Sequence, residues 1–204
     1  MGRFLGPKAK LCRRFGENIF GSPKYDKILK KKPYPPGGSG QGFRKRKSDY
    51  AIHLQEKQRV RFMYGLMEKQ FSNYFKKAAL KKGITGENLL EMLEMRLDNV
   101  VYRVGLATTR MQARQIVRHG HILVNETKVN IPSYICSRGD TIQVKPKSKN
   151  LKLFLDNIGY TNVQAYPWLE LDKKNLKGTI LNIPSREQIP EKVDDRLIIE
   201  YYSK

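Results

Sequence analysis

The stretch from Lys30 to Lys47 constrains this chain most, because nothing in it can build a core. It reads Lys30-Lys31-Lys32, then Pro33-Tyr34-Pro35-Pro36-Gly37-Gly38-Ser39-Gly40, and closes on Arg44-Lys45-Arg46-Lys47. Proline and glycine break helices and strands, and like charges repel one another. Residues 1–47 are therefore expected to be a basic, extended segment that orders on a partner. That segment carries a net +12, residues 48–95 carry +2, residues 96–150 carry +7, and residues 151–204 are neutral. The whole chain has 40 Lys and Arg against 19 Asp and Glu, a net +21. A polyanion relieves such self-repulsion, since its phosphates are neutralised and their counterions released. A merely well-solvated surface is the bland alternative, and an imbalance this large disfavours it.

Cys12 and Cys136 stand far apart and form no disulfide framework, so a reducing, cytoplasmic compartment is expected. No apolar run reaches the roughly 18 residues of a membrane helix, and none after Met1 reads as a signal peptide.

From Ser48 the pattern changes. Ser48 and Asp49 suit a helix N-terminus, and Val60, Met63, Tyr64, Met67, Phe71, Tyr74, Phe75 and Ala78 recur at spacings of three and four. A small helical domain is predicted over residues 48–94, divided near Gly65 and stopped at Gly83. Its aromatic stripe is read as core rather than as a platform for stacked bases. One further helix is predicted from Thr85 to Gly105, with Leu89, Leu90, Leu93, Leu97, Val100, Val101 and Val104 on its apolar face.

Next comes a second basic segment. Thr108 or Thr109 can cap a short helix that Gly120 closes, with Ala113, Ile116 and Val117 inward. Arg110, Arg114 and Arg118 then recur at intervals of four, which predicts three guanidiniums along one outer face. Each suits a phosphate, which it binds in bidentate fashion. A solvated face is the alternative, but no acidic residue between Asp98 and Glu126 compensates the row. Ile122 and Val124 read as a strand, followed by an Asn125–Lys128 turn and a continuation through Val129 and Ile131. Gly139-Asp140 turns the chain into Thr141–Val144, and Lys145, Lys147 and Lys149 follow. Two helices against a small sheet are expected to present a convex RNA-binding face over residues 95–150.

These residues carry a resemblance. Met95-Arg-Leu-Asp-Asn-Val-Val-Tyr-Arg-Val-Gly105, Thr-Arg-x-x-Ala-Arg-Gln at 109–115, His-Gly-His-Ile-Leu-Val-Asn at 119–125 and Gly139-Asp140 closely resemble the S-four RNA-binding domain. Beyond it, Met1-Gly-Arg-Phe-Leu-Gly-Pro-Lys, Ser48-Asp-Tyr, Glu56-Lys-Gln-Arg, Tyr64-Gly, Gln70-Phe and Ile199-Glu-Tyr-Tyr-Ser-Lys204 are similar to the bacterial family of small-subunit ribosomal protein S-four.

That resemblance implies an α+β protein: a basic N-terminal tail, a small helical domain completed by residues 197–204, and an inserted RNA-binding module. Residues 151–196 would pack on the module as an extension. Asn150–Leu155 is expected to form a short helix, and Tyr166–Leu171, which resembles the family's Pro-x-Trp-Leu segment, an extended strand. The family binds the 5′ domain of 16S ribosomal RNA directly, at a junction of helices, and starts assembly of the subunit body. It also touches neighbouring protein S-five where messenger RNA enters, an interface that affects decoding accuracy. Arg44, Arg46 and Lys47 correspond to the family's basic loop near incoming messenger RNA, although Gly40-Gln-Gly-Phe departs from its Gly-Gln-His-Gly pattern.

The candidate RNA contacts in the first segment are Arg3, Lys8, Lys10, Arg13, Arg14, Arg44, Lys45, Arg46 and Lys47. Arg59 is a candidate in the helical domain. In the module they are Thr109, Arg110, Gln112, Arg114, Gln115, Arg118, His119, His121, Asn125 and Lys128. Many relatives carry four N-terminal zinc-binding cysteines, but here Cys12 stands alone, so no zinc and no cofactor are expected. His119 and His121 lack a third ligand nearby and read as RNA-facing.

Two alternatives remain in view. Pseudouridine synthases and tyrosyl-transfer-RNA synthetases carry the same module but append it to a large catalytic domain, and no Walker loop or His-Glu-x-x-His appears here. An enzyme is therefore not expected. A free RNA chaperone or ribosome-rescue factor would lack the helical domain and the terminal Glu-Tyr-Tyr-Ser-Lys block. Asp194-Asp195 lies in an acid-rich stretch suited to a protein neighbour, because acids repel RNA.

Overall fold

The computed structural model describes residues 4–37, 47–160 and 166–203. The candidate contacts Arg3, Arg44, Lys45 and Arg46 lie outside them. Contacts divide the chain into two compact units, Met1–Gly86 with Glu191–Lys204, and Glu87–Pro190.

The first unit opens with a correction. Residues 8–31 are not extended but form two helices, α1 (Lys8–Phe15) and α2 (Pro23–Lys31). Charge does not prevent this, because α1 buries Cys12 while Arg14 and Lys10 stay exposed. Gly16, at φ 77°, ends α1 and donates its backbone N–H to Cys12 O at 2.8 Å. Pro23 starts α2 at a position where its fixed φ suits a helix and no N–H is missed. Helix α3 (Asp49–Met63) follows, capped by Ser48 Oγ, which accepts from Ala51 N at 3.3 Å. Gly65, at φ 64°, turns the chain into α4 (Glu68–Leu80). Phe62 anchors the start of the chain, with its ring 4.9 Å from Phe4 and 6.4 Å from Phe15.

A second correction concerns residues 85–105. The leucine pattern runs on without a break, but the structure makes two helices, α5 (Thr85–Glu94) and α6 (Leu97–Arg103). Arg96 between them is extended, at φ −69° and ψ 138°. It pairs with Ile135 in an isolated bridge, flanked by Cys136 N donating to Met95 O at 2.8 Å and Leu97 N donating to Tyr134 O at 2.8 Å. The two tertiary hydrogen bonds that make this bridge thus replace the helical bonds that would have crossed this point.

Helix α7 (Arg110–Arg118) comes next, followed by β1 (Ile122–Val124), β2 (Thr127–Lys128), β3 (Thr141–Val144), α8 (Lys152–Tyr160), β4 (Leu169–Asp172) and β5 (Lys177–Ile180). Asn125 and Glu126 both take positive φ, 47° and 67°, as the type I′ turn of a two-residue hairpin requires. The return strand is therefore Thr127–Lys128, and Val129 and Ile131 fall beyond it. Among the described residues the five strands form one antiparallel sheet in the order β2-β1-β3-β5-β4. Strand β5 has no counterpart in the sequence reading, and the sheet runs through residue 150 into the segment read as an extension. One core joins Leu97, Val100 and Val101 of α6, Ile116 and Val117 of α7, and Ile122, Ile142, Phe154, Trp168 and Ile180.

The chain then closes as α9 (Asp195–Ser203), which packs on α3 in the first unit. Tyr202 stacks on Phe75 at 4.4 Å, and Lys57 Nζ lies 4.6 Å from the Tyr201 ring.

Candidate nucleic-acid interface

Helix α7 supplies five of the module's ten candidates, and its two ends explain why it forms there. Thr109 Oγ1 accepts from Gln112 N at 3.2 Å at the start. At the other end His121 N donates to Ile116 O at 3.3 Å and Gly120 N to Val117 O at 2.9 Å. With Gly120 at φ 74°, this pair of bonds is the glycine-terminated helix end in which two otherwise orphaned carbonyls are satisfied. Ala113, Ile116 and Val117 face the core.

The row of three outward arginines needs correcting. Arg118 is exposed, but Arg110 and Arg114 turn back onto α6. Arg114 donates from Nε and Nη2 to Asp98 Oδ2, at 2.9 and 2.6 Å. Arg110 donates from Nε to Asn99 Oδ1 at 2.7 Å, lies 3.9 Å from Glu94 Oε1, and places its guanidinium 4.7 Å from the Tyr102 ring centre. The absence of acids between Asp98 and Glu126 holds along the chain only. In space, Asp98 and Glu94 lie beside the row.

Both carboxylates are buried and both hold a second arginine. Asp98 receives Arg96 Nε at 3.0 Å and Nη2 at 2.8 Å, while Glu94 receives Arg103 Nε at 2.8 Å and Nη2 at 2.7 Å. Arg103 also donates to Tyr166 Oη at 3.0 Å. A charge inside a protein needs such paired and hydrogen-bonded partners. Neither carboxylate was among the candidates. The available signal was their position, four residues apart on the segment that precedes the arginine helix.

Beyond α7 a second group gathers around Gly120 and His121. His119 is exposed, with its ring 6.1 Å from that of His121. His121 Nδ1 is 2.9 Å from Ser148 Oγ, and its ring meets Phe154 edge-on at 6.2 Å. Burial, and then the charges of His119 and Lys145, hold His121 below the usual imidazole range. Lys145, absent from the candidate contacts, is tied in by its backbone N–H, which donates to His121 O at 2.8 Å. Lys128 on β2 is exposed and runs across Gly120.

Other candidates are committed to the fold. Gln112 Oε1 accepts from Thr108 N and Oγ1, both at 2.7 Å, and its Nε2 donates to Asn157 at 3.4 Å. Asn125 clamps the hairpin, donating to Asp140 Oδ1 at 2.7 Å and accepting from Thr141 N at 2.9 Å. Gln115 is exposed. In the first unit Arg13 donates to Tyr34 O at 3.0 Å and Pro35 O at 3.2 Å, while Lys8 is half-buried. Lys47 is exposed and donates to Gln55 at 2.5 Å.

Arg59 is a clip rather than an open cation. It donates to Glu56 at 2.8 and 2.5 Å, to Glu17 at 2.7 Å, and to Lys192 O. Burial opposes its charge, but the hydrogen bonds it donates to Glu56 and Glu17 overcome that and hold the guanidinium above its usual value. Among the described residues no cluster of three His, Cys, Asp or Glu side chains could hold a metal, and no helix is long and apolar enough to cross a membrane.

The comparisons with known proteins agree along the whole chain. Residues 3–94 match the ribosomal protein S4/S9 N-terminal domain, and residues 95–142 match the S4 domain. The small ribosomal subunit protein uS4 of Salinibacter ruber is 50% identical over 204 residues, all of both chains. Those of Amoebophilus asiaticus and Bacteroides fragilis are 52% and 50% identical, again over all of both chains.

Proposed function

Because the chain belongs to the uS4 family of small-ribosomal-subunit proteins, we propose that it binds the 5′ domain of 16S ribosomal RNA directly and nucleates assembly of the subunit body. It is a structural constituent of the cytoplasmic small subunit and not an enzyme. The single observation that carries the RNA reading is the convergence of arginines on one module, Arg110 and Arg114 held at the α6–α7 junction and Arg118 exposed beside His119. Guanidiniums fit phosphate oxygens in pairs, and a fixed cationic surface suits the shape-based recognition of folded RNA.

The neutral C-terminal quarter supports the rest of the reading. Asp194 is exposed, and acids repel RNA, so this side is proposed to face protein S-five and through it to influence decoding accuracy. Lys47 and the basic residues before it are proposed to lie near incoming messenger RNA.

The test is a titration of the protein with the isolated 5′ domain and with an unrelated RNA duplex, at several salt concentrations. Tight, salt-dependent and selective binding is expected, weakened by about 2–5 kcal/mol in the Arg110→Ala/Arg114→Ala double variant. Equal affinity for the two RNAs would leave only non-specific charge.

A further inference from the structure

We infer that Asp98 and Asn99, at the start of α6, are positioning residues for RNA binding: they hold the guanidiniums of Arg114 and Arg110 in place before RNA arrives. This rests on the reading that α7 faces RNA. Two chains of constraint carry it. In the first, the backbone of Arg96 is fixed by its bridge to Ile135, and its side chain, 1% exposed, grips both oxygens of Asp98. The carboxylate so fixed receives Arg114 through two N–H groups on Oδ2. In the second, buried Glu94 accepts Asn99 Nδ2 on its side chain at 2.8 Å and on its backbone carbonyl at 3.0 Å. That orients the amide so that its Oδ1 meets Arg110 Nε, while Tyr102 supports the guanidinium face.

The arginine side chains remain partly open to solvent, Arg110 at 14% and Arg114 at 18%. A long side chain ordered only on binding loses rotamer freedom at that moment, and one ordered beforehand does not. A carboxylate beside an RNA-facing arginine also weakens the pull of that arginine on phosphate. Charge and positioning therefore make opposite predictions for Asp98. Removing its charge adds a net +1, which by charge alone strengthens RNA binding, whereas releasing Arg114 weakens it.

The experiment measures affinity for the isolated 16S 5′ domain in the full-length protein, its Asp98→Asn variant and a Glu126→Gln control. Glu126 is exposed on the hairpin, so its variant adds the same charge without touching the arginines. Asp98→Asn is expected to bind about tenfold more weakly or worse, and Glu126→Gln as tightly as the parent or more so. Asn99→Ala, which leaves the charge unchanged and both carboxylates paired, serves where Asp98→Asn does not fold, as judged by thermal unfolding. Its loss should not add to that of Arg110→Ala, because Asn99 acts on RNA through Arg110. Tighter or unchanged binding by folded Asp98→Asn, or additive losses in the Asn99–Arg110 pair, would overturn the inference. Equal binding of the unaltered protein to the 5′ domain and an unrelated duplex would instead overturn the RNA reading beneath it.

Discussion

The side chain of Lys128 crosses directly over Gly120, where a Cβ would stand 2.4 Å from Lys128 Cε and 3.1 Å from Nζ. A glycine that closes α7 thereby also provides the floor on which a β2 lysine lies. Replacing Gly120 by alanine meets two penalties, a left-handed backbone at φ 74° and a displaced lysine. Gly120→Ala is expected to cost about 1–2 kcal/mol of stability, read by urea unfolding, and to weaken RNA binding. Lys128→Ala should weaken RNA binding alone. Identical behaviour of the two variants in both assays would contradict this arrangement.

Arg118 and Arg114 sit one turn apart on α7 but should separate cleanly on mutation. Arg118 is exposed, so Arg118→Ala is expected to leave stability within about 0.5 kcal/mol and to reduce the salt slope of RNA binding by about one. Arg114→Ala removes one of two arginines from buried Asp98 and should lower the melting temperature as well. Thermal scans alongside salt titrations distinguish them.

Acid should weaken the second unit through His121. Its folded-state pKa lies below the ordinary value near 6.5, so protonation is harder in the fold than in the unfolded chain. The stability it contributes is full above that ordinary value and is lost as pH falls through the folded one. Melting between pH 8 and pH 5 should show this loss, and His121→Asn should reduce it. A bound phosphate would favour the protonated ring, so RNA should oppose the trend.

Lys57 is the largest buried cation of the helical unit, 2% exposed, bonded to Glu68 at 2.5 Å and facing Tyr201. Lys57→Ala should destabilise the docking of α9 by about 1–3 kcal/mol, moderated because Glu68 is about half exposed and can rehydrate. Lys57→Met keeps the apolar stem and should recover part of that loss in urea unfolding.

Several features of this chain were legible without coordinates. The three-and-four spacing from Val60 to Ala78 marks α3 and α4, and Gly65 marks the turn between them, because local periodicity and a left-handed glycine act over a few residues. Gly120 marks the end of α7 for the same reason, and Thr108 or Thr109 its start, a choice the structure settles on Thr109. Collinear motif blocks were enough to place the chain in its family.

Only the tertiary structure decided how the charges pair. The row at Arg110, Arg114 and Arg118 is open on the page because spacing reports which helix face a residue occupies, not what packs there. A break at Arg96, imposed by Ile135 and its neighbours rather than by any glycine or proline, turns Asp98 and Asn99 toward α7. In the same way Arg59 becomes a clip between Glu17, Glu56 and Lys192, residues up to 133 positions away. Backbone preference is set by neighbours in sequence, but a buried charge is satisfied by whatever the fold brings within hydrogen-bonding distance.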